Sequence, residues 1–214
     1  MTKSQILKGS PLYQIYLTEL INWNQKFNLT AITDPKEIEI KHFEDSRTVL
    51  QAVDLTDQKV IDIGAGAGFP GIPLKIEQPE IKLTLLEATR KKCEFLKHMV
   101  GKLSAVDQSL KDIEIIWGRA EQLNKDHQYA AKFYVAVARA VAKLDKLVGY
   151  ALPFVKPGGI FVAMKGAEIK DEIAAAGAAL NHDSVKTLPI HTLVLSNHSA
   201  RSLIIIQKKA IARE

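Results

Sequence analysis

Residues 59–73 read Lys59-Val-Ile-Asp-Ile-Gly64-Ala-Gly66-Ala-Gly68-Phe69-Pro70-Gly71-Ile72-Pro73. The apolar, branched residues at the start of this stretch predict a strand that is buried on both faces of a sheet. The glycines directly after it allow a sharp turn and let a ligand lie against bare backbone. A buried strand, a glycine loop and a helix form the first unit of an open α/β sheet, and small ligands bind at the carboxyl edge of such a sheet.

The same alternation recurs along the chain and predicts the rest of the sheet. Further short apolar runs predict strands at residues 81–86, 113–117, 133–138 and 160–164. Helical stretches lie between them, which favours parallel strands with right-handed crossovers. Two last runs, 185–195 and 203–208, are separated by a short connection that requires antiparallel pairing. We therefore predict an α/β fold with a mostly parallel seven-stranded sheet, closed by a C-terminal antiparallel hairpin.

The first part of the chain has a helical pattern instead. Apolar residues recur at helical spacing from Leu12 to Phe27. A second helix is expected to begin after Asp34, an N-cap residue that is followed by Pro35 at the first helical position. We predict a division into an N-terminal helical extension, residues 1–56, and a domain that holds the sheet, residues 57–214.

Composition places the chain among ordinary globular proteins. Of its 214 residues, 47% are hydrophobic and 25% are charged, which excludes a disordered or fibrous chain. No apolar run reaches the ~18 residues of a membrane-spanning helix. The start of the chain also lacks the apolar block of a secretory signal. We therefore expect a cytoplasmic protein with no membrane partner, and nothing in the sequence demands more than a monomer.

The cysteine and histidine content and the net charge limit which disulfides, metals and partners are possible. Cys93 is the one cysteine, so no disulfide can form within the chain. The histidines lack the close pairing of zinc ligands, and we expect no metal. The formal net charge of +5 suits a polyanionic partner such as nucleic acid.

The spacing of the glycines indicates which ligand binds. The dinucleotide fingerprint is Gly-x-Gly-x-x-Gly, whereas Gly64, Gly66 and Gly68 follow Gly-x-Gly-x-Gly, the pattern of S-adenosylmethionine (SAM) binders. A nucleoside without phosphates needs no pyrophosphate seat at a helix N-terminus. Asp62 could polarise the loop or receive the ammonium group of the methionine moiety. No Gly-Lys-Ser/Thr sequence follows the loop, which disfavours ATP hydrolysis.

Polar residues at the ends of the other strands complete the candidate site. Glu87 ends the second strand, where a carboxylate accepts hydrogen bonds from ribose hydroxyls in both SAM and NAD binders. Ala120 and Glu121 follow the third strand and could meet the adenine edge. Arg139 ends the fourth strand, where the acceptor substrate should lie, and Lys165 adds a second cation after the fifth.

Catalytic motifs that the sequence lacks limit which atom can accept the methyl group. The Asn/Asp-Pro-Pro-aromatic motif of amine methylation is absent, since the fourth strand ends in Ala138-Arg139-Ala140. Methylation of a pyrimidine carbon needs a cysteine nucleophile, and Cys93 is in the wrong place. What remains is an acceptor that is already nucleophilic, such as guanine N7, which carries a free lone pair and needs no general base.

Motifs along nearly the whole chain resemble those of the ribosomal RNA small subunit methyltransferase G family, also called glucose-inhibited division protein B. The most specific of them is the continuation of the glycine loop as Gly-Phe-Pro-Gly-Ile-Pro. The others are Trp23-Asn-Gln-Lys-Phe-Asn-Leu-Thr30, His42 with Asp45-Ser46, Leu85-Leu-Glu87, Gly118-Arg-Ala-Glu121, Ala138-Arg-Ala140 and Lys165-Gly166. Departures are small: the family often has Ser where this chain has Ala138, and Asp where it has Glu87.

The resemblance implies a SAM-dependent methyltransferase (Rossmann-like) fold over residues 57–214. It implies methyl transfer from SAM to guanine N7 in the 530 loop of 16S rRNA. Naked rRNA, the small ribosomal subunit and an assembly intermediate all stay open as the form of the substrate. The residues that the resemblance places at the SAM site are Gly64, Phe69, Ala120, Glu121 and Arg139. We expect Arg139, Lys165 and His42 to contact the RNA, although His42 fits a buried, hydrogen-bonded core position equally well.

Two other functions stay open from the sequence. A nicotinamide-dependent oxidoreductase would share the first two glycines and Glu87, but the displaced third glycine and the antiparallel hairpin count against it. A catalytically silent RNA-binding module on the same fold would bind RNA regardless of SAM and would transfer no methyl group.

Overall fold

The computed structural model describes residues 9–210. Two helical segments precede the sheet, as predicted. Helix α1 is Pro11–Asn24. Segment α2 covers residues 35–51 and changes type along its length, from an α-helix at Pro35–Ile38 to a π-helix at Glu39–Glu44, an α-helical turn at Asp45–Arg47 and a 3-10 turn at Thr48–Gln51. The Asp34 carboxylate accepts a hydrogen bond from the Glu37 N–H at 2.9 Å, which confirms the predicted N-cap.

Five parallel strands form the centre of the sheet. They are β1 Lys59–Ile63, β2 Lys82–Glu87, β3 Glu114–Trp117, β4 Phe133–Arg139 and β5 Val155–Lys165. Their spatial order is β3-β2-β1-β4-β5, so the chain reverses direction across the sheet between β1 and β4. The ends of β1, β2 and β4 therefore meet at one edge, at the switch point where open α/β sheets bind ligands.

Helices cover both faces of the sheet. They are α3 Gly71–Glu77, α4 Arg90–Ser104, α5 Ala120–Leu123, α6 Leu144–Ala151, α7 Lys170–Ala175 and α8 Gly177–Leu180. None of the described helices is long and apolar enough to cross a membrane.

The C-terminal strands close the sheet with antiparallel pairing. Strand β8, Ala200–Lys208, pairs with β5 on one side. On its other side it pairs with two short strands, β6 Val185–Thr187 and β7 His191–Val194. The predicted single strand over 185–195 is thus interrupted, and residues 9–210 form a sheet of eight strands rather than the predicted seven. The interruption contains Pro189, which has no N–H for a ladder and is tolerated at a sheet edge.

Two apolar layers hold the sheet, one on each face. One layer joins α3 and α4 to the inner side of α1 and α2, with Tyr16, Leu20 and Phe43 fully or almost fully buried in it. The opposite layer packs α6 and the Leu180 side chain against the sheet. Residues 9–56 therefore share a core with the strands and lie against the glycine loop.

Candidate cofactor and acceptor site

The glycine loop between β1 and α3 is built on left-handed backbone. Gly64, Gly66 and Gly68 have φ angles of +69°, +59° and +93°, which side chains other than glycine adopt at a cost. A Cβ on Gly64 would lie 2.6 Å from Val141 Cγ2, and one on Gly68 would lie 2.5 Å from Tyr16 Oη. A Cβ on Gly66 would meet only the Gly64 carbonyl oxygen, at 3.8 Å. The protein thus leaves open space over Gly66, where a ligand can lie against the backbone.

Most of the backbone donors of this loop are used within the protein. The Gly64 and Ala65 N–H groups donate to the Leu86 carbonyl at 2.8 and 3.0 Å, and the Gly71 N–H donates to Asp62 at 2.7 Å. The start of α3 also carries Pro70 and Pro73, which have no N–H. A pyrophosphate needs free N–H groups at a helix N-terminus, so this loop is unsuited to a dinucleotide and suits a nucleoside without phosphates.

Glu87 at the end of β2 lies beside the open space. Its Oε2 atom accepts from the Gly66 N–H at 2.8 Å, and its Oε1 atom accepts from the Thr89 N–H at 2.7 Å. A carboxylate has about four acceptor positions, so capacity remains for the two hydroxyls of a ribose. The side chain is buried and fixed in place for that contact.

Asp62 lies beneath the loop, fully buried. Its Oδ2 atom accepts from the Gly71 N–H, whereas Oδ1 has no hydrogen-bond partner among the described residues. Burial raises the pKa of this carboxyl from 3.8 to about 7, against the lowering effects of the Gly71 N–H and Arg139. An unpaired buried oxygen of this kind fits the ammonium of a methionine moiety, which would supply the missing donor and charge.

The N-terminal helices brace the loop through aromatic rings. The Tyr16 hydroxyl of α1 donates to the Ala67 carbonyl at 2.5 Å. The Phe69 ring stacks on Tyr16 with centroids 5.1 Å apart and on His42 with centroids 4.6 Å apart. Phe69 was expected at the SAM site; the structure places its ring at the junction between the loop, α1 and α2.

Arg139 at the end of β4 connects the sheet to α2. Its Nη1 atom donates to the Lys41 carbonyl at 2.8 Å and to Asp45 Oδ2 at 3.0 Å. Its Nη2 atom lies 3.2 Å from His42 Nδ1, and its guanidinium lies 5.2 Å from the Phe69 centroid. Asp45 also accepts from Arg201 Nε at 3.0 Å. A buried carboxylate between two arginines thus fixes one side of the site.

His42 lies in the core rather than on the surface. Its Nε2 atom lies 2.8 Å from the Thr30 hydroxyl, and Nδ1 lies between the Lys41 carbonyl and Arg139. Burial, together with the Arg139 charge, lowers the pKa of His42 from 6.5 to about 3. This is the buried, hydrogen-bonded position that the sequence left open as the alternative to an RNA contact.

The other predicted residues lie around the same edge. Lys165 is mostly buried, and its Nζ donates to the Ala142 carbonyl at 2.9 Å and to Glu172 at 2.5 Å. Ala120 and Glu121 begin α5 after β3. Ala120 is half-buried, whereas Glu121 is exposed.

A cleft of about 450 Å³ opens beside Arg139. Its lining is unusually rich in cations, with Lys41, Arg139, Lys165 and Arg201 among the residues that border it. Asp45 and His42 also border it, and both already have partners. A cationic cleft next to the glycine loop fits an acceptor that carries phosphates. The described residues contain no cluster of His, Cys, Asp and Glu that could hold a metal.

Comparison with known proteins decides the class. A family model described as "GidB: rRNA small subunit methyltransferase G" matches residues 10–203. The chain belongs to this family. It is 44% identical over 202 residues to the ribosomal RNA small subunit methyltransferase G of Thermoanaerobacter sp., covering 92% of this chain and 80% of that protein. It is 41% identical over 222 residues to the corresponding protein of Brevibacillus brevis, covering 98% and 91%.

Membership confirms the predicted class, a methyltransferase of small-subunit rRNA, and SAM as its cofactor. Solved structures show the same fold at low sequence identity. TYW2 of M. jannaschii in complex with AdoMet superimposes with a TM-score of 0.59 at 15% identity, over 79% of this chain and 76% of that one. An arsenic (III) S-adenosylmethionine methyltransferase of Chlamydomonas reinhardtii gives 0.54 at 14% identity, over 79% and 75%. The predicted Rossmann-like methyltransferase fold is thus confirmed.

Several residues that shape the site were missed by sequence reasoning. Asp45 was noted as part of a motif, but its bridge between Arg139 and Arg201 joins positions far apart in the sequence. Tyr16 was assigned to an apolar helix face, and its hydroxyl was the available signal, because a buried tyrosine usually needs a hydrogen-bond partner. Val141, which packs over Gly64, carries no signal in the sequence.

Proposed function

We propose that this protein transfers the methyl group of SAM to N7 of a guanine in the 530 loop of 16S rRNA, by in-line displacement without a general base. The observation that carries the proposal is the cationic cleft beside the glycine loop, in which every candidate base is already engaged. Guanine N7, which carries a lone pair and no proton, would attack the methyl carbon of the SAM sulfonium as the carbon–sulfur bond breaks. The sulfur would leave as the neutral thioether of S-adenosylhomocysteine, and the positive charge would pass to the 7-methylguanine.

The residues of the cleft are poor bases. His42 has a pKa of about 3, and both of its ring nitrogens have partners. Asp45 is held by Arg139 and Arg201. An acceptor that first had to lose a proton would find no free group here, whereas guanine N7 needs only alignment. Positioning of two reactants in this way can contribute roughly 7–11 kcal/mol to lowering the barrier.

We assign the cofactor to the edge formed by β1, β2 and β3. Gly64, Gly66 and Gly68 would provide bare backbone, with the open space over Gly66 as the path of the ligand. Glu87 would accept from the ribose hydroxyls, and Asp62 would receive the ammonium. The remaining contacts would come from Phe69, Ala120, Glu121 and Arg139.

Arg139 is proposed to orient the guanine. Two of its contacts hold it to Lys41 and Asp45 through Nη1, which fixes the plane of the guanidinium. We assign the N–H donors that remain after the contacts with Lys41, Asp45 and His42 to the guanine O6 atom or a phosphate. A donor on N7 itself would block the reacting lone pair, so O6 or a phosphate is the partner we assign. Lys165, mostly buried against Glu172, would add positive charge for a phosphate nearby.

We assign different roles to the N-terminal extension and to the domain that holds the sheet. The predicted division is an extension, residues 1–56, and a domain, residues 57–214, of which residues 1–8 and 211–214 lie outside the described part. Within that part, residues 9–56 would brace the loop and border the acceptor cleft, and residues 57–210 would hold the cofactor. A nicotinamide oxidoreductase is disfavoured because the loop donors and the two prolines leave no seat for a pyrophosphate. A catalytically silent RNA-binding module is also disfavoured, because RNA binding alone does not require the Glu87 and Asp62 carboxylates at the loop.

The decisive test compares rRNA from cells with and without this gene. Chemical cleavage at 7-methylguanosine followed by primer extension maps the modification to a single nucleotide. We expect a stop in the 530 loop only when the gene is present. The proposal is wrong if the stops are identical in both strains, or if the stop that is lost lies in another region of the rRNA.

A further inference from the structure

Trp117 is an exposed aromatic residue at the carboxyl edge of the sheet. It ends β3, and 62% of its surface is accessible, which is rare for so large an apolar side chain. Its indole N–H donates to the Ala88 carbonyl at 3.0 Å, so the ring is held in one orientation. The Arg90 guanidinium lies 5.8 Å from the ring centroid. A fixed, exposed ring with a cation over it fits a partner that combines a planar ring with a negative charge.

The same arrangement repeats one residue further along α4. The Lys91 ammonium lies 5.2 Å from the centroid of Phe27, which follows α1. Arg90 and Lys91 thus present two neighbouring cations, each on an aromatic ring. Arg119, two residues after Trp117, adds a third exposed cation. We call these five residues, Phe27, Arg90, Lys91, Trp117 and Arg119, the aromatic–cationic surface.

The acidic neighbours of this surface do not neutralise it. Arg90 Nε lies 3.5 Å from Glu94, and Arg119 Nη1 lies 3.7 Å from Glu121. All four side chains are more than two-fifths exposed, and exposed pairs of this kind are worth about 0–1 kcal/mol. A phosphate can therefore exchange with either carboxylate at little cost.

The aromatic–cationic surface lies beside Glu87, which we assign to the cofactor, and apart from the acceptor cleft. Trp117 pairs with Glu87 in the sheet register. From β3 to β4 there are three inter-strand steps, β3-β2-β1-β4, so Trp117 and Arg139 lie roughly 14 Å apart across the sheet at about 4.8 Å a step. An RNA that places a base in the acceptor cleft is therefore close enough to contact this surface with nucleotides that flank the target.

We propose that the aromatic–cationic surface binds unpaired nucleotides of the rRNA substrate that flank the methylated base, with Trp117 stacking on one base and the three cations contacting phosphates. The inference rests on the proposed function, since it assigns a docking surface for the same RNA. Stacking on an exposed ring is tolerant of sequence and favours unpaired RNA. Its phosphate contacts make the affinity depend on salt.

The first test separates stacking from cofactor binding. Trp117→Ala is expected to weaken the binding of unmodified 16S rRNA about tenfold, with the SAM Kd from calorimetry within twofold of the wild type. Trp117→Phe keeps a ring and should retain most of the affinity. Trp117 and Trp23 are the only tryptophans of the chain, so rRNA should quench the emission of the wild type but not of Trp117→Phe. A thermal melt checks that both variants fold.

The second test concerns the phosphates. Arg90→Ala with Lys91→Ala should reduce the slope of log affinity against log salt by about 1.4, since each contact with single-stranded RNA contributes about 0.7. Lys111→Ala with Lys132→Ala is the matched control, because these exposed lysines lie just before β3 and β4, at the opposite edge of the sheet. The control should leave the slope unchanged.

The outcomes distinguish this surface from the proposed function. Unchanged rRNA affinity in Trp117→Ala, with a wild type that binds and methylates rRNA, would overturn the surface alone. A weakened SAM Kd with unchanged rRNA affinity would assign Trp117 to the adenine pocket and also overturn it. A wild type that binds neither unmodified 16S rRNA nor unmodified small ribosomal subunits would overturn the proposed function together with the surface.

Discussion

Gly66 offers the sharpest test of the cofactor site, because a side chain there meets little of the protein and extends into the path that we assign to SAM. Its φ angle is +59°, and a Cβ would have only the Gly64 carbonyl oxygen near it, at 3.8 Å. In Gly66→Asp the new side chain has room in the free protein and extends into the path that we assign to SAM. The substitution should therefore separate folding from binding.

The structure gives the size of both effects. Left-handed backbone costs a residue other than glycine about 1–2 kcal/mol, with Asp at the lower end. For a chain of this size, about 1 kcal/mol lowers Tm by roughly 2–4 °C. The added carboxylate would also stand beside Glu87, which accepts from the Gly66 N–H at 2.8 Å, in the space for the ribose. We expect SAM affinity to fall at least about 100-fold, or about 2.7 kcal/mol.

Calorimetric titration with SAM and a thermal melt measure the two effects. Gly101→Asp is the matched control, since a Cβ at Gly101 in α4 meets nothing within 4 Å and lies away from the loop. Its SAM Kd should equal that of the wild type. A folded Gly66→Asp protein that binds SAM within threefold of the wild type would refute the placement of the cofactor.

Three further predictions follow from the contacts of the site. Arg139→Ala should reduce methyl transfer at saturating rRNA at least about 100-fold. Because Asp45 loses one of its two arginines, the substitution should also destabilise the fold by about 3 kcal/mol. Turnover measured below the melting range separates the two effects, and unchanged turnover would show that Arg139 has a structural role only. Asp62 has a pKa raised to about 7 from 3.8, so its stabilising effect on the free protein is complete below about pH 4 and is lost as the pH rises through 7. Because the SAM ammonium favours the ionised carboxylate, SAM should bind more tightly at pH 8 than at pH 6, and both dependences should be smaller in Asp62→Asn; identical pH profiles for the two proteins would contradict this role. Ala140→Gly, at a φ of +56°, should raise Tm by about 2 °C by relieving left-handed strain, and a lower Tm in the melt would show that this strain is absent.

The central strands were the most predictable part of the fold. Strand β1 spans residues 59–63 in both the prediction and the structure, because a buried parallel strand requires a continuous branched apolar run. The interruption between β6 and β7 was missed, although Pro189 carried the signal. The π-helix within α2 has no recognisable sequence pattern, since its register depends on the packing of His42 and Phe43 against the loop.

The positions of site residues that follow strand ends were predictable, whereas their partners in the folded chain were not. Glu87 and Asp62 lie at the loop because parallel strands end at one edge. The partners of Arg139 and Lys165 could not be predicted, because Asp45 and Glu172 approach them only after the chain folds. Arg139 and Lys165 were expected to contact the RNA, and the structure pairs each of them with a carboxylate of the protein.

The most direct measurement of the central claim uses purified protein, unmodified 16S rRNA and SAM with a deuterated methyl group. After digestion, mass spectrometry of the nucleosides shows which one carries the label. We expect about one labelled 7-methylguanosine per rRNA and no other labelled nucleoside. Label in any other nucleoside, or no label from protein that binds both SAM and rRNA, would contradict the account.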